Sequence, residues 1–87
     1  MAEIIENEKG FKVIKMSRTE VNQVFGGFGI CDYCSTIESE GYYIAVLNHW
    51  YCEKDYKRFL ENAINYPEDQ RIEKINFVNT KQLLNLK

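Results

Sequence analysis

The chain has 87 residues, which is room for one domain, because independent domains usually contain about 50 to 200 residues. It is 45% hydrophobic, 28% charged and 14% aromatic, a composition that predicts a folded protein and excludes a wholly disordered one. The net charge of -2 excludes an overall positive field that would attract nucleic acid or an anionic membrane surface.

Hydropathy along the chain gives no membrane-crossing or export signal. The longest uninterrupted apolar run covers residues 42–47, far below the roughly 20 residues that a spanning helix needs. The first ten residues are acidic and lack the basic and apolar segments of a secretory signal. We therefore expect a single cytoplasmic domain over residues 1–87 with no membrane partner.

The N-terminal part predicts a β-hairpin followed by a short helix. Two apolar-rich segments, residues 2–5 and 11–16, flank a polar segment, which favours two paired strands. Ser17 and Glu20 have the spacing of a capping box, so a helix is expected over Arg18–Phe25. Glycine permits the sharp exit that ends a helix, and three glycines follow here: Gly26, Gly27 and Gly29.

The middle of the chain predicts a second hairpin and an amphipathic helix. Residues 42–47 are mostly aromatic or β-branched and favour a strand, which a turn at Asn48 and His49 connects to a second strand over residues 50–52. Five apolar residues then recur at the spacing of a helix packed on one side: Tyr56, Phe59, Leu60, Ala63 and Ile64. This helix should end before Pro67, whose ring disfavours helical geometry at the preceding residue.

The remaining residues, 68–87, contain apolar side chains without one clean period, so we expect an extended piece followed by a short helix after Thr80. Most apolar residues of small domains lie in the core, and we expect the same here, the alternative being a dimer or partner surface. The residues concerned are Ile72, Ile75, Phe77, Val78, Leu83, Leu84 and Leu86.

The three cysteines predict a metal site. An odd number cannot pair within one chain, and in a reducing compartment close cysteines favour metal over a disulfide. Two residues separate Cys31 from Cys34, the spacing of a zinc knuckle, and seventeen separate Cys34 from Cys52. Asp55 follows Cys52 by one helical turn, so a returning hairpin can close a tetrahedral zinc site from these four residues. The predicted zinc-binding centre covers about residues 28–66.

This pattern and the segment Tyr51-Cys52-Glu53-Lys54-Asp55-Tyr56 resemble the second zinc module of LIM-type zinc fingers. The resemblance covers residues 31–59. It implies a small α+β, treble-clef-like domain of knuckle, β-hairpin and α-helix, here with an N-terminal hairpin and short helix and a C-terminal extension. It also implies Zn²⁺ bound by Cys31, Cys34, Cys52 and Asp55, and a role in binding other proteins without catalysis.

His49 is an alternative fourth ligand, because His-x2-Cys is a common ligand spacing and imidazole binds zinc well. In the predicted hairpin, however, His49 lies about 10 Å from Cys52 along a strand, whereas Asp55 lies on the adjacent helical turn. We therefore favour Asp55. The opposing consideration is charge: three thiolates and a carboxylate leave the site at about -2, against about -1 with histidine.

Each of these features also has a purely structural interpretation. The cysteines could be buried as small apolar residues. Lys54, Lys57 and Arg58 are interleaved with Glu53 and Glu61, which favours a solvated face over a nucleic-acid patch. Four aromatic residues favour core or knuckle packing over a binding platform: Phe28, Tyr42, Tyr43 and Trp50.

The favoured function is a non-catalytic zinc-binding domain whose structural zinc stabilises a small protein-interaction module. The first alternative is a nucleic-acid-binding zinc finger, whose affinity would fall steeply with salt. The second is a metalloenzyme with water in the fourth position, which three thiolates disfavour because they make the ion a poorer Lewis acid. The partner itself and the oligomeric state have no signal in the sequence.

Overall fold

The computed structural model describes residues 2–26 and 29–86 and contains, within them, one four-stranded antiparallel sheet and three α-helices. The strands lie in the sheet in chain order: β1 (Glu3–Ile5), β2 (Val13–Ser17), β3 (Glu40–Ile44) and β4 (His49–Tyr51). The helices are α1 (Arg18–Phe25), α2 (Glu53–Asn62) and α3 (Gln70–Leu83), and a 3₁₀ turn at Pro67–Asp69 precedes α3. The α+β class predicted from the sequence is confirmed.

Helices cover both faces of the sheet. Successive side chains of a strand point to opposite faces, so neighbouring residues of the central strands pack against different helices. On β2, Val13 packs with the residues of α2, whereas Ile14 packs with those of α1 and α3. On β3, Ile44 and Tyr43 divide in the same way. All four side chains are at most 1% exposed, so the two central strands form the middle layer of the molecule.

The N-terminal elements match the sequence predictions. β1 pairs with β2 as a hairpin, and α1 has the predicted bounds. The capping box is complete, since the Glu20 amide donates to Ser17 Oγ at 3.2 Å and the Ser17 amide donates to Glu20 Oε1 at 2.9 Å. Gly26 ends the helix with φ 67°, while Gly27 and Phe28 lie outside the described residues.

The central hairpin is shifted relative to its prediction. The first strand is Glu40–Ile44, and residues 45–48 form a four-residue turn in which the amides of Leu47 and Asn48 donate to the carbonyl of Ile44. Asn48 takes a positive φ of 56°, which Asn tolerates better than most residues. The predicted two-residue turn at Asn48 and His49 is therefore wrong, and His49 is the first residue of β4.

A glycine allows β3 and β4 to approach. A Cβ atom at Gly41 would lie 2.6 Å from Cε2 of the Trp50 indole and 2.6 Å from the carbonyl oxygen of Tyr51. The indole crosses this position, and its Nε1 donates to the carbonyl of Met16 on β2 at 3.2 Å. Trp50 therefore connects three strands, and any side chain at residue 41 would displace it.

The C-terminal part differs most from its prediction. Instead of an extended piece and a short helix after Thr80, the chain forms α3 over Gln70–Leu83. Its inward positions recur at helical spacing but include two buried polar residues, Glu73 and Thr80, beside the half-buried Phe77 and Leu84. The predicted core placement is confirmed for Phe77, Leu84 and Leu86 and is wrong for four residues that lie exposed: Ile72, Ile75, Val78 and Leu83.

Polar contacts hold α3 on the sheet. Glu73 Oε2 accepts a hydrogen bond from the Lys12 amide at 2.9 Å, and Asn76 Nδ2 donates to the Ala45 carbonyl at 2.8 Å. The first contact gives the Lys12 amide a partner, and the second adds a donor to the Ala45 carbonyl, which also accepts from the Asn48 amide at 3.2 Å. Among residues 2–26 and 29–86, no helix combines the length and the apolar character required to cross a membrane.

Candidate metal centre

Cys31 and Cys34 lie on a tight turn before β3. The Ser35 amide donates to the Cys31 carbonyl at 2.9 Å, and the Cys31 amide donates to the Thr36 carbonyl at 2.9 Å. Ser35 takes a positive φ of 63°, and Ile30 and Ile37 form an isolated antiparallel bridge that closes the loop at its base. This tight turn directs the Sγ atoms of Cys31 and Cys34 to the same side, as the two-residue spacing predicts.

Cys52 and Asp55 lie at the start of α2. Cys52 is the N-cap residue and Asp55 stands in the first turn, so their side chains lie one above the other on the same helix face. The negative carboxylate of Asp55 is also favourable there, because the N-terminal end of a helix carries a partial positive charge. The sequence prediction placed both residues at this helix start, and the structure agrees.

Asp32 joins the cysteine turn to β4. Its carboxylate accepts a hydrogen bond from the Trp50 amide at 2.8 Å, and its own amide donates to the Trp50 carbonyl at 3.0 Å. The Cys52 amide, two residues further on, donates to Cys31 Sγ at 3.3 Å. The sequence analysis missed Asp32, since a residue between two knuckle cysteines carries no spacing signal for a contact eighteen residues away.

The four predicted ligand residues come together at this corner of the sheet. One side-chain donor atom from each of Cys31, Cys34, Cys52 and Asp55 lies within 4.8 Å of all the others. The Sγ atoms of Cys34 and Cys52 are 3.8 Å apart, and Asp55 Oδ2 is 3.2 Å from Cys31 Sγ and 3.3 Å from Cys52 Sγ. Cys31, Cys52 and Asp55 are buried and Cys34 is half-buried. The cluster is a possible metal site.

The electrostatics of the cluster favour a cation. Hydrogen bonding to the thiols, first to Cys34, lowers the pKa of Asp55 below its ordinary value although burial opposes this. Burial is the main cause that raises the pKa of Cys52 to about 12. Three thiols and one carboxylate crowded together cannot all ionise without a neutralising positive charge. A divalent ion at their centre would stabilise the thiolates and displace their protons.

His49 lies outside this cluster. Its Nδ1 is 3.3 Å from Asp32 Oδ2, and its ring stacks on Tyr51 with the centroids 6.1 Å apart. The side chain is about half exposed (51%). His49 is thus an exposed residue at the start of β4, where its contacts are with a carboxylate and an aromatic ring.

The remaining sequence candidates have mixed surroundings. Trp50 and Tyr43 are buried in the core and Tyr42 is half-buried, whereas Phe28 lies outside the described residues. On α2, Lys57 pairs with Glu53 at 3.3 Å on the exposed surface, as expected for a solvated helix face.

Comparison with known proteins identifies no relative of this chain. No protein-family model, no curated protein and no solved structure matches this chain, so the arrangement of the four donor side chains is what functional inference rests on.

Proposed function

We propose that this chain is a non-catalytic zinc-binding module, in which a structural Zn²⁺ bound by Cys31, Cys34, Cys52 and Asp55 stabilises a surface that binds another protein. The proposal has three parts: the identity of the ion, its structural role and the kind of partner. Each part rests on a different observation.

The distances among the donor atoms carry the choice of zinc. A tetrahedral ion with Zn–S bonds of about 2.3 Å and a Zn–O bond of about 2.0 Å requires S–S edges of about 3.8 Å and S–O edges of about 3.5 Å. The S–S distance between Cys34 and Cys52 is 3.8 Å, and the two S–O distances to Asp55 are 3.2 and 3.3 Å. Thiolate-rich tetrahedral sets favour Zn²⁺ over Ca²⁺ and Mg²⁺, which prefer oxygen ligands.

The burial of the donors supports a structural role. Four protein ligands fill a tetrahedral zinc ion, whereas catalytic zinc ions usually keep one position for water or substrate. A domain of this size buries only about 60 to 65% of its unfolded surface, so its apolar core leaves a narrow margin of stability. Because the ligands are assembled only in the fold, zinc affinity becomes folding free energy.

The element order supports a treble-clef-like arrangement and a protein partner. A cysteine turn, a hairpin of β3 and β4, and a helix that carries the last two donors follow one another, which is the order of the second zinc module of LIM-type fingers. Those modules bind other proteins. The net charge of -2 also favours a protein over a nucleic acid as the partner.

Zinc analysis of matched variants tests the ligand set. The wild-type protein, purified without chelator, should hold one zinc ion per chain by elemental analysis. Asp55→Ala should weaken zinc binding and lower the melting temperature, while His49→Ala should leave both near the wild-type values, because His49 contacts Asp32 and Tyr51 instead.

Two results would contradict this assignment. If His49→Ala releases the metal and Asp55→Ala retains it, the fourth ligand is His49. A wild-type chain that is metal-free, fully structured and open to thiol reagents would exclude the zinc centre as a whole.

A further inference from the structure

A cleft with a volume of about 330 Å³ lies beside the metal centre, between the cysteine turn and α2. Its apolar lining residues are Tyr33 and Tyr51, together with Phe59 of α2 and Ala63, which directly follows α2. Sites for small ligands and for single side chains begin at about this size and are mostly apolar. The cleft therefore has the dimensions of a docking site.

The aromatic wall of the cleft is exposed although it is held in place. Tyr33 is 58% exposed, and its ring meets the edge of Tyr51 with the centroids 5.9 Å apart. Tyr33 also stands between Cys31 and Cys34, so the turn that bears two donor residues fixes its backbone. Rigid, exposed tyrosines supply contact area at a low cost in conformational entropy, which is why they are common in protein-binding surfaces.

The charge at the rim of the cleft is positive. Arg58 places its guanidinium carbon 5.7 Å from the centre of the Tyr33 ring and its Nη1 3.4 Å from the Tyr33 hydroxyl. Among residues 2–26 and 29–86, no carboxylate pairs with Arg58, in contrast to Lys57, which is paired with Glu53. Asp55 also contributes to the lining, but it is 3% exposed and its Oδ2 faces the thiols.

A second cation contacts the backbone of Ala63, one of the residues that line the cleft. Lys9 Nζ donates to the carbonyl of Ala63 at 2.8 Å, and within the described part of the chain it has no carboxylate partner either. The charged side chains that face solvent at the cleft or touch its lining are therefore positive: Arg58 in the lining itself and Lys9 next to Ala63. A carboxylate next to an apolar side chain is the ligand chemistry that complements this arrangement.

We propose that the cleft receives one apolar side chain of a partner protein, phenylalanine or a residue of similar size, and that a neighbouring aspartate or glutamate of the partner pairs with Arg58. This deepens the proposed function, since it names the partner-binding surface of the zinc module and the class of peptide that occupies it. Arg58 acts in it as a specificity residue and has no part in holding the metal.

Titration of the zinc-loaded, ¹⁵N-labelled protein with terminally blocked tripeptides tests the proposal by NMR. The probe is acetyl-aspartyl-phenylalanyl-aspartyl amide, and its controls replace phenylalanine by alanine or both aspartates by lysine. The probe should shift the amide signals of Tyr33, Asn62 and Ala63 saturably, with a dissociation constant on the order of 1 mM. Both control peptides should bind about tenfold more weakly or not at all.

Two charge-reversal variants of adjacent residues provide the matched comparison. Arg58→Glu should weaken binding of the aspartyl probe by about fivefold, as expected for an exposed ion pair, and should improve binding of the lysyl peptide. Lys57→Glu makes the same charge change one residue away and outside the cleft, so it should leave the affinity of the aspartyl probe within about twofold.

Several outcomes would overturn the proposal. They are equal losses in the two variants, equal binding of the alanine peptide, or no saturable shift at about 10 mM probe. If adenosine 5'-monophosphate shifts these amide signals and the peptides do not, the ligand of the cleft is a nucleotide and not a peptide.

Zinc content, measured on every sample, separates this proposal from the previous one. If the zinc-loaded protein does not bind the probe, only the proposed peptide binding in the cleft is contradicted. If a folded, zinc-free protein binds the probe, only the proposed zinc site is contradicted.

Discussion

The backbone amide of Cys52 donates a hydrogen bond to the sulfur of Cys31 at 3.3 Å. This contact connects the two pairs of donor residues independently of any ion, and amide donors to a ligand sulfur stabilise its thiolate form. Cys31 and Cys52 are buried, with 1% and 4% of their surface exposed, whereas Cys34 is half-buried. The cysteines should therefore differ in how much stability they contribute.

We expect Cys31→Ser and Cys52→Ser to unfold the centre of the molecule, and Cys34→Ser to lower the melting temperature by less. Zinc binding contributes on the order of 10 kcal/mol in small finger peptides, as much as the whole stability of a small domain. Thermal unfolding followed by circular dichroism, with zinc content measured in parallel, checks this order. Equal effects of the three substitutions would show that burial and the amide contact do not matter.

The positive φ of Ser35 predicts a stabilising substitution. A residue with a Cβ pays about 1 kcal/mol or more in this conformation, so Ser35→Gly should raise the free energy of unfolding by up to about 1 kcal/mol and retain zinc. Ser39, exposed in the same loop, has no positive φ, and Ser39→Gly should instead be neutral or destabilising. Urea unfolding of both variants makes the comparison, and a loss of stability in Ser35→Gly would contradict it.

The capping box of α1 predicts a pH-dependent contribution to stability. Burial by itself would raise the pKa of Glu20, but hydrogen bonds from Ser17 lower it below the ordinary value of 4.5. A lowered pKa means that the ionised carboxylate stabilises the fold above pH 4.5, and that this stabilisation disappears as the pH falls through the folded-state pKa. The difference in unfolding free energy between wild type and Glu20→Gln should therefore be largest at neutral pH and shrink below pH 4.5.

Both proteins in that comparison have the same three cysteines and Asp55, so acid release of a metal bound there would affect both. Ser17→Ala removes the other half of the box and should cost about 1 kcal/mol at pH 7. A difference between wild type and Glu20→Gln that stays constant from neutral to acid pH would exclude the carboxylate as its origin.

Glu73 is the residue of α3 at which we expect substitution to lower the free energy of unfolding. The side chain is 4% exposed and accepts the hydrogen bond of the Lys12 amide, so Glu73→Ala should cost about 1 to 3 kcal/mol by leaving that donor without a partner. Glu73→Gln keeps an acceptor oxygen and should cost less, and Lys74→Ala, an exposed neighbour on the same helix, should be nearly neutral. Urea unfolding of the three variants checks the order, and an equal loss in Lys74→Ala would contradict it.

The cluster of three cysteines and Asp55 was predictable because most of its geometry is local. Two residues between Cys31 and Cys34 define a tight turn, and Cys52 and Asp55 at a helix start must face the same way. Only the return of the hairpin between the two pairs is long-range, and the β-branched and aromatic run near Tyr42 indicated it. His49 was assigned to the wrong element, because Asn48 alone, with its positive φ, ends a turn that begins at Ala45.

The helix α3 could not be predicted from apolar periodicity because several of the residues that it directs toward the sheet are polar. Glu73 and Thr80 are buried since they serve backbone and side-chain partners on the sheet, a reason that depends on the tertiary structure. Ile72 and Ile75 lie exposed, so the apolar residues of this segment do not mark the inward face. The cleft residues Tyr33 and Arg58 were missed for a similar reason: they meet only when the turn and α2 are brought together.

Gly41 influences the candidate metal centre indirectly, because it fixes the alignment of β3 with β4. It is the one glycine of β3 and the point where the Trp50 indole crosses to β2. Sliding the strand by two residues would put Ser39 or Tyr43 beneath that indole, where no side chain fits, so the slipped pairings are sterically excluded. The cysteine turn precedes β3, and Cys52 directly follows β4. The alignment of β3 with β4 therefore also determines the distance between the pair Cys31 and Cys34 and the pair Cys52 and Asp55.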